Sequence, residues 1–227
     1  MPTPLAEGDF SAVLTTAELE VIASLRCFVV EELRTARRFL SAAGLRGHID
    51  ELELHELNEH TSPAEVEALA GLFDGGRNVG LLSEAGLPAV ADPGALLVDL
   101  CHRHDIRVVP MVGPSSLMLA LMASGLNGQS FAFKGYLPAK TPERRRALQE
   151  LERLSSRLGQ SQIFIETPYR NDAMLTDILE CCNPSTKLCI ATNVTAADED
   201  IRTKTVEQWK KQKPAIGKRP TVFILCA

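Results

Sequence analysis

Glu31 and Glu32 stand side by side directly after the apolar run CFVV. A carboxylate delivered at the end of a buried strand can take the proton of a hydroxyl acceptor, the work of a general base. His55, with Glu56 and Glu59 beside it in LHELNEH, offers the same chemistry. Each has a plain alternative: Glu32 can pair with Arg34, Arg37 or Arg38, and His55 can be a structural or surface histidine. Arg170 and the run Arg144–Arg146 can meet a phosphate, although a charge run on a polar helix is more often a solvated face.

A second group of residues speaks of binding. LLSEAGLPAVADPG (81–94) puts two Gly, two Pro and acidic residues into one connection. That is longer than the roughly two to six residues usual between a strand and the next helix. Ala85 and Gly86 leave main-chain N–H and C=O groups open to a ligand. The alternative is a turn in which Asp92-Pro93 merely starts a helix. GPSS (113–116) repeats the pattern, with Gly113 for an unusual turn and Ser115 or Ser116 to cap a helix or reach a hydroxyl. Both G-x-x-x-x-G-K-[ST] and G-x-G-x-x-G are absent, which disfavours a nucleoside triphosphate or dinucleotide. A zwitterionic or uncharged nucleoside-like ligand fits better.

The elements that must position these residues follow from hydrophobic spacing. Helices are predicted over 15–26, 33–44, 62–76, 94–105, 113–125 and 140–158, with Ser62 and Pro63 opening the third. Strands are predicted over 27–31, 49–54, 78–83, 107–111, 162–167, 187–192 and 220–226. The β-α-β rhythm implies an α/β protein whose first half is a parallel, doubly wound sheet with its working loops at the carboxyl ends of the strands. Two domains are expected, 1–112 with a parallel sheet and 113–227 with a mixed one.

The chain has 227 residues, 45% of them hydrophobic, and a net charge of −5. An acidic balance argues against a dedicated, sequence-blind nucleic-acid binder but not against an enzyme that meets RNA transiently. None of the six cysteines shows C-x2-C spacing, so free thiols of a cytoplasmic protein are expected, and no metal. MPTPLAEGDF lacks the basic and apolar regions of a secretory signal, and no apolar run is long enough for a membrane span.

PTPL (2–5), EELR (31–34), LHELNEH (54–60), LLSEAGLPAVADPG (81–94), RVVPMVGPSSLMLALMASGL (107–126), FKGYLPAK (133–140) and FIETPYR (164–170) occur in that order. Together they resemble the S-adenosylmethionine-dependent tetrapyrrole methylase superfamily. The nearest branch is the ribosomal RNA small-subunit methyltransferase I group, which methylates a cytidine 2′-hydroxyl in 16S rRNA. The resemblance implies a two-domain class III methyltransferase fold, S-adenosyl-L-methionine in the interdomain cleft, and a homodimer with an RNA substrate. By position, Pro4, Leu5, Ser83, Glu84, Ala85, Gly86, Leu87, Ser115, Ser116, Thr167, Ala191, Thr192 and Thr221 would bind the cofactor. No catalytic base is implied, and Glu31, Glu32 and His55 are the candidates.

Departures from the branch are visible. Glu84 and Leu87 replace the Asp and Thr of its SDAGTP motif, EELR replaces EDTR, HELNEH only partly keeps HEHNE, and ATNVT (191–195) replaces an ARELT-like stretch. The strand that precedes PTPL in the family is expected to be either absent or supplied by residues outside this sequence. Two other functions stay open, a methyltransferase of a tetrapyrrole-like small molecule and a non-catalytic cofactor-binding module.

Overall fold

The run Cys27–Val30 forms β1, buried at all four residues, and it pairs in parallel on both sides. Its neighbours are β2 (Glu53–Glu56) and β3 (Val79–Leu82), in the order β2-β1-β3. A central parallel strand covered on both faces needs apolar side chains in both directions, which is why CFVV reads as a continuous apolar run. In this computed structural model residues 1–6 and 13–227 are described, so the end of the MPTPLAEGDF stretch lies outside the described residues.

On one face Phe28 and Val30 pack with Ile22 of α1 (Thr16–Ser24) and with Phe39 and Leu40 of α2 (Leu33–Leu40). On the other, Val29 packs with Val66 of α3 (Pro63–Ala68) and with Leu97 and Leu100 of α4 (Ala95–Arg103). Thr15 with Glu18, and Ser62 with Glu65, close reciprocal capping boxes at the starts of α1 and α3. Each satisfies two backbone N–H groups that a helix start otherwise leaves open.

The structure departs from the sequence expectation at four places in this half. Residues 49–51 form a 3-10 turn, and the strand begins only at Glu53. Ile49 and Leu52, three apart, both turn toward the same core, so an alternating pattern is also met by one tight turn. The helix from 33 ends at Leu40 and continues as a wide turn closed by Gly44 at φ 110°. The helix from 63 tightens after Ala68 and breaks at Asp74. Residues 107–111 form no ladder: Pro110 has no N–H to give, Val109 is 64% exposed, and β3 pairs only with β1.

The chain divides into the units Met1–Ser115 and Ser116–Ala227. The second opens with α5 (Ser116–Ser124) and carries a five-stranded sheet in the order β4-β5-β8-β6-β7. The strands are β4 (Phe131–Tyr136), β5 (Ser161–Ile165), β6 (Lys187–Thr192), β7 (Asp200–Thr205) and β8 (Thr221–Cys226). Only β4 and β5 are parallel; the other pairs are antiparallel. Phe164 and Phe223 stack with ring centroids 5.6 Å apart, over a core shared with Met174 and Ile178 of α7 (Asn171–Cys181) and Trp209 of α8 (Val206–Lys211).

β7, DIRTKT, escapes sequence reading because it is a polar edge strand whose apolar cover is borrowed. Arg202 and Lys204 lie over the Trp209 ring, at 5.6 and 5.1 Å from its centroid. α6 (Thr141–Leu158) holds the Arg144–Arg146 run. All six cysteines are free, and among the described residues no helix is long and apolar enough to cross a membrane.

Candidate functional site

The predicted loops of the first unit meet at the carboxyl ends of β1 and β3. Thr3 and Gly86 form an antiparallel bridge, with Thr3 N–H donating to Gly86 O at 2.9 Å and Gly86 N–H donating to Thr3 O at 3.1 Å. Gly86 is at φ 82°, and a Cβ there would stand 3.0 Å from Leu5 Cδ2 and 3.3 Å from the Pro114 carbonyl oxygen. A Cβ on Gly113 would strike Pro2 Cβ at 2.1 Å and approach Leu87 Cδ2 at 3.2 Å. So PTPL, SEAGL and GPSS pack together, and the two glycines sit where neighbouring atoms come too close for a further side chain.

The 83–94 loop is a built object and more than a turn. Ala89 and Ala91 both sit at positive φ, 64° and 58°. A non-glycine residue there costs about 1–2 kcal/mol. Asp92 holds the strained segment, its Oδ1 accepting from Ala89 N–H at 3.2 Å and Gly94 N–H at 2.6 Å. Asp92 Oδ2 and Ser83 Oγ are buried with no hydrogen-bond partner. Buried polar atoms are nearly always paired in native proteins; Asp92 faces the Glu31 carboxyl, whose titration it raises, which leaves Ser83 Oγ as the group open to a ligand.

Beside the loop lies a cavity of about 770 Å3. Small-molecule sites run to roughly 300–1,000 Å3, so it has room for a nucleoside-sized ligand. It is lined by Thr3 to Ala6 with Ser83, Glu84 and Ala85, and by α2 and the turn after it, with Thr35, Arg37, Arg38 and Arg46. These three arginines escaped functional notice in the sequence. The signal was there: in LRTARRFL the residues Ala36, Phe39 and Leu40 are buried, which turns Arg37 and Arg38 outward.

Of the candidate bases, Glu31 contacts the 83–94 loop next to the cavity without lining it. Its Oε2 accepts from Glu84 N–H at 3.4 Å, and Glu84 Oε1 accepts from Thr35 Oγ1–H at 3.4 Å. Burial pushes the Glu31 carboxyl above the usual range, and the nearby Asp92 carboxylate adds to the rise. Glu32 is occupied otherwise. It caps α2, accepting from Arg34 N–H at 2.9 Å and Thr35 N–H at 2.7 Å, and those bonds hold its carboxyl below the usual range. His55 sits in β2 opposite Val29, and its ring gathers with Cys27 and Glu53, which open their strands. Glu56 ends β2, and Glu59 is exposed beside His60, so neither lies on the cavity wall.

In the second unit Thr167, Ala191, Thr192 and Thr221 collect at one end of the sheet: Thr192 is opposite Thr221, and Ala191 is opposite Val222. The hydroxyls are engaged locally, Thr167 Oγ1 with Glu166 at 3.2 Å, Thr192 Oγ1 with Asp200 O at 3.2 Å and Thr221 Oγ1 with Arg219 O at 2.9 Å. Ser115 closes the first unit, and Ser116 opens α5. Arg170 is tied to Glu166 Oε1 by two bonds of 2.9 and 2.6 Å, and Arg144 is buried against Asp177. Neither is placed as a solvent-facing phosphate contact.

The residues present fit S-adenosylmethionine: a zwitterion with a cationic sulfur finds carboxylates in Glu31, Glu84 and Asp92 and an unpartnered hydroxyl in Ser83. No family model matches the chain. Among solved structures it is similar to the methyltransferase CobJ (TM-score 0.63, 18% identity, 96% of this chain and 90% of that one). It is also similar to a Thermus thermophilus uroporphyrin-III C-methyl transferase complexed with S-adenyl homocysteine (TM-score 0.53, 15% identity, 95% and 91%). At those identities the likeness shows the fold, that of the tetrapyrrole methylases.

Curated relatives lie nearer in sequence, and the three described here are all named ribosomal RNA small subunit methyltransferase I. The protein of Vibrio cholerae serotype O1 is 32% identical over 203 residues, 89% of this chain and 66% of the relative. That of Mesorhizobium japonicum is 35% identical over 195 residues, 86% and 63%. The chain thus spans a little under two thirds of the length of these two. With the Escherichia coli O157:H7 protein the match is 32% over 228 residues and takes in 99% of this chain and 76% of the relative, and on that extent the chain belongs to the ribosomal RNA small subunit methyltransferase I family.

Proposed function

We propose that this chain is an S-adenosylmethionine-dependent methyltransferase whose acceptor is a hydroxyl of ribosomal RNA, the ribose 2′-hydroxyl of a small-subunit cytidine. When bound, the cofactor supplies a methyl group already activated on a sulfonium. Thr3–Leu5 and Ser83–Leu87 would hold it, with the Gly86 main chain tied to Thr3 and the acidic groups of Glu84 and Asp92 on the loop. Glu31, with its raised carboxyl, is poised to take the acceptor hydroxyl's proton as the oxygen becomes nucleophilic. Positioning of the acceptor supplies much of the remaining rate.

One observation carries this reading. The acidic and polar loop and the arginine-bearing helix line the same cavity. The first suits the cationic cofactor that any acceptor would require, and the second suits an anionic acceptor such as RNA. A cytoplasmic homodimer accompanies the proposal. Val112 of the first unit and Met122 of the second are apolar and 85% and 79% exposed, as residues covered by a second copy would be when viewed alone.

The deciding experiment measures transfer of labelled methyl from S-adenosylmethionine to small ribosomal subunits lacking this modification, after cofactor binding has been shown by calorimetry. Incorporation into a single RNA nucleotide is expected. Cofactor binding with no incorporation into RNA would overturn the acceptor assignment and leave a methyltransferase of a small molecule or a binding module. A chain that does not bind the cofactor would overturn the whole reading.

A further inference from the structure

Away from the cavity, at the opening residues of β1 and β2, three groups of different chemistry converge. The parallel register sets Cys27 opposite Glu53 and Val29 opposite His55. Since alternate residues of a strand share a face, Cys27, Glu53 and His55 project from the same side of the sheet. One thiol sulfur, one carboxylate oxygen and one imidazole nitrogen all lie within 4.8 Å of one another. Ligand atoms around a tetrahedral zinc stand roughly 3.3–3.8 Å apart, so small rotamer adjustments close the set.

The neighbourhood suits a ligand role for each group. His55 Nε2 is buried with no hydrogen-bond partner, an unusual state for a nitrogen that can otherwise find water. Cys27 is 1% exposed. Glu53 Oε1 accepts from Arg77 Nη2 at 2.8 Å, which orients the carboxylate. A thiolate, an imidazole and a carboxylate are the donor set of a borderline cation; magnesium and calcium select oxygen alone.

We propose that Cys27, Glu53 and His55 form a zinc(II) site that fastens edge strand β2 to β1, with solvent in the fourth position. On binding, the Cys27 thiol releases its proton to solvent and the sulfur becomes a thiolate ligand, with no redox change. The site lies at the amino-terminal ends of the strands, so it serves the stability of the first unit. It takes no part in methyl transfer.

The test uses the full chain, stripped with a chelator and titrated with cobalt(II) and then zinc(II). Cobalt is expected to bind one per chain with an intense thiolate-to-metal charge-transfer absorption, which zinc displaces while raising the melting temperature. Cys27→Ser should abolish the absorption. Glu53→Gln and His55→Gln should each weaken zinc binding by more than about tenfold. The proposal fails if the wild-type chain gives no charge-transfer absorption or if that absorption survives Cys27→Ser, which would assign it to another thiol. It fails equally if both the glutamine variants bind zinc as the wild type does, and these two decide the matter should Cys27→Ser not fold.

Discussion

Thr3 and Gly86, 83 residues apart, exchange both main-chain hydrogen bonds of an antiparallel bridge, at 2.9 and 3.1 Å. This contact makes the amino-terminal PTPL segment and the 83–94 loop a single surface. It depends on a backbone conformation, φ 82°, that L side chains rarely adopt.

Gly86→Val should therefore break the surface. The variant carries about 1–3 kcal/mol of backbone strain, and its added carbons press on Leu5 and the Pro114 carbonyl. S-adenosylmethionine binding is expected to vanish in calorimetric titration while the far-ultraviolet circular dichroism stays native. Retained affinity would detach the loop from the cofactor.

Glu31→Gln separates stability from chemistry. The Glu31 carboxyl is raised above 4.5, so the folded chain prefers it protonated. Its contribution to stability is thus most favourable below the unfolded value and declines as pH rises through the folded one. The glutamine variant should melt higher than the parent at pH 7, with the difference closing as the pH falls below 4.5. Methyl transfer at pH 7 should fall by about 10²–10⁴-fold if the base assignment holds. Thermal melts across pH and a rate assay check the two halves independently.

Arg37→Glu combined with Arg46→Glu reverses two charges in the cavity lining that the cofactor loop shares. RNA affinity should drop and its salt dependence should flatten, since fewer counterions are released per binding event. Affinity for S-adenosylmethionine should not change. Filter binding at several salt concentrations, beside calorimetry with the cofactor, reads both.

Asp177→Ala tests the other arginine run. Asp177 and Arg144 are each 4% exposed, and Arg145 Nε also donates to Asp177, at 2.7 Å. Removing the carboxylate leaves the Arg144 guanidinium buried and uncompensated, a loss of about 3–5 kcal/mol. Denaturant unfolding should show it. A shift below about 1 kcal/mol would return Arg144 to the solvated face that the sequence suggested.

What the sequence determined by itself was local or nearly so. CFVV reads as a buried strand, Ser62-Pro63 as the opening of a helix, and the Gly and Pro of 81–94 as an unusually long loop. These follow from backbone preferences and hydrophobic period, which act over a few residues. The tertiary structure decided everything that depends on which distant residues become neighbours. It gave Glu32 to the start of α2, and it buried Arg144 against Asp177. It also made Arg37, Arg38 and Arg46 part of the cavity lining and set His55 beside Cys27 through a strand register. The strand expected at 107–111 does not form even though no strand among the described residues pairs with the outer edge of β3: β-branched residues favour extension, but Pro110 has no N–H to give to a ladder. Propensity belongs to the segment, whereas burial, pairing and charge compensation belong to the fold.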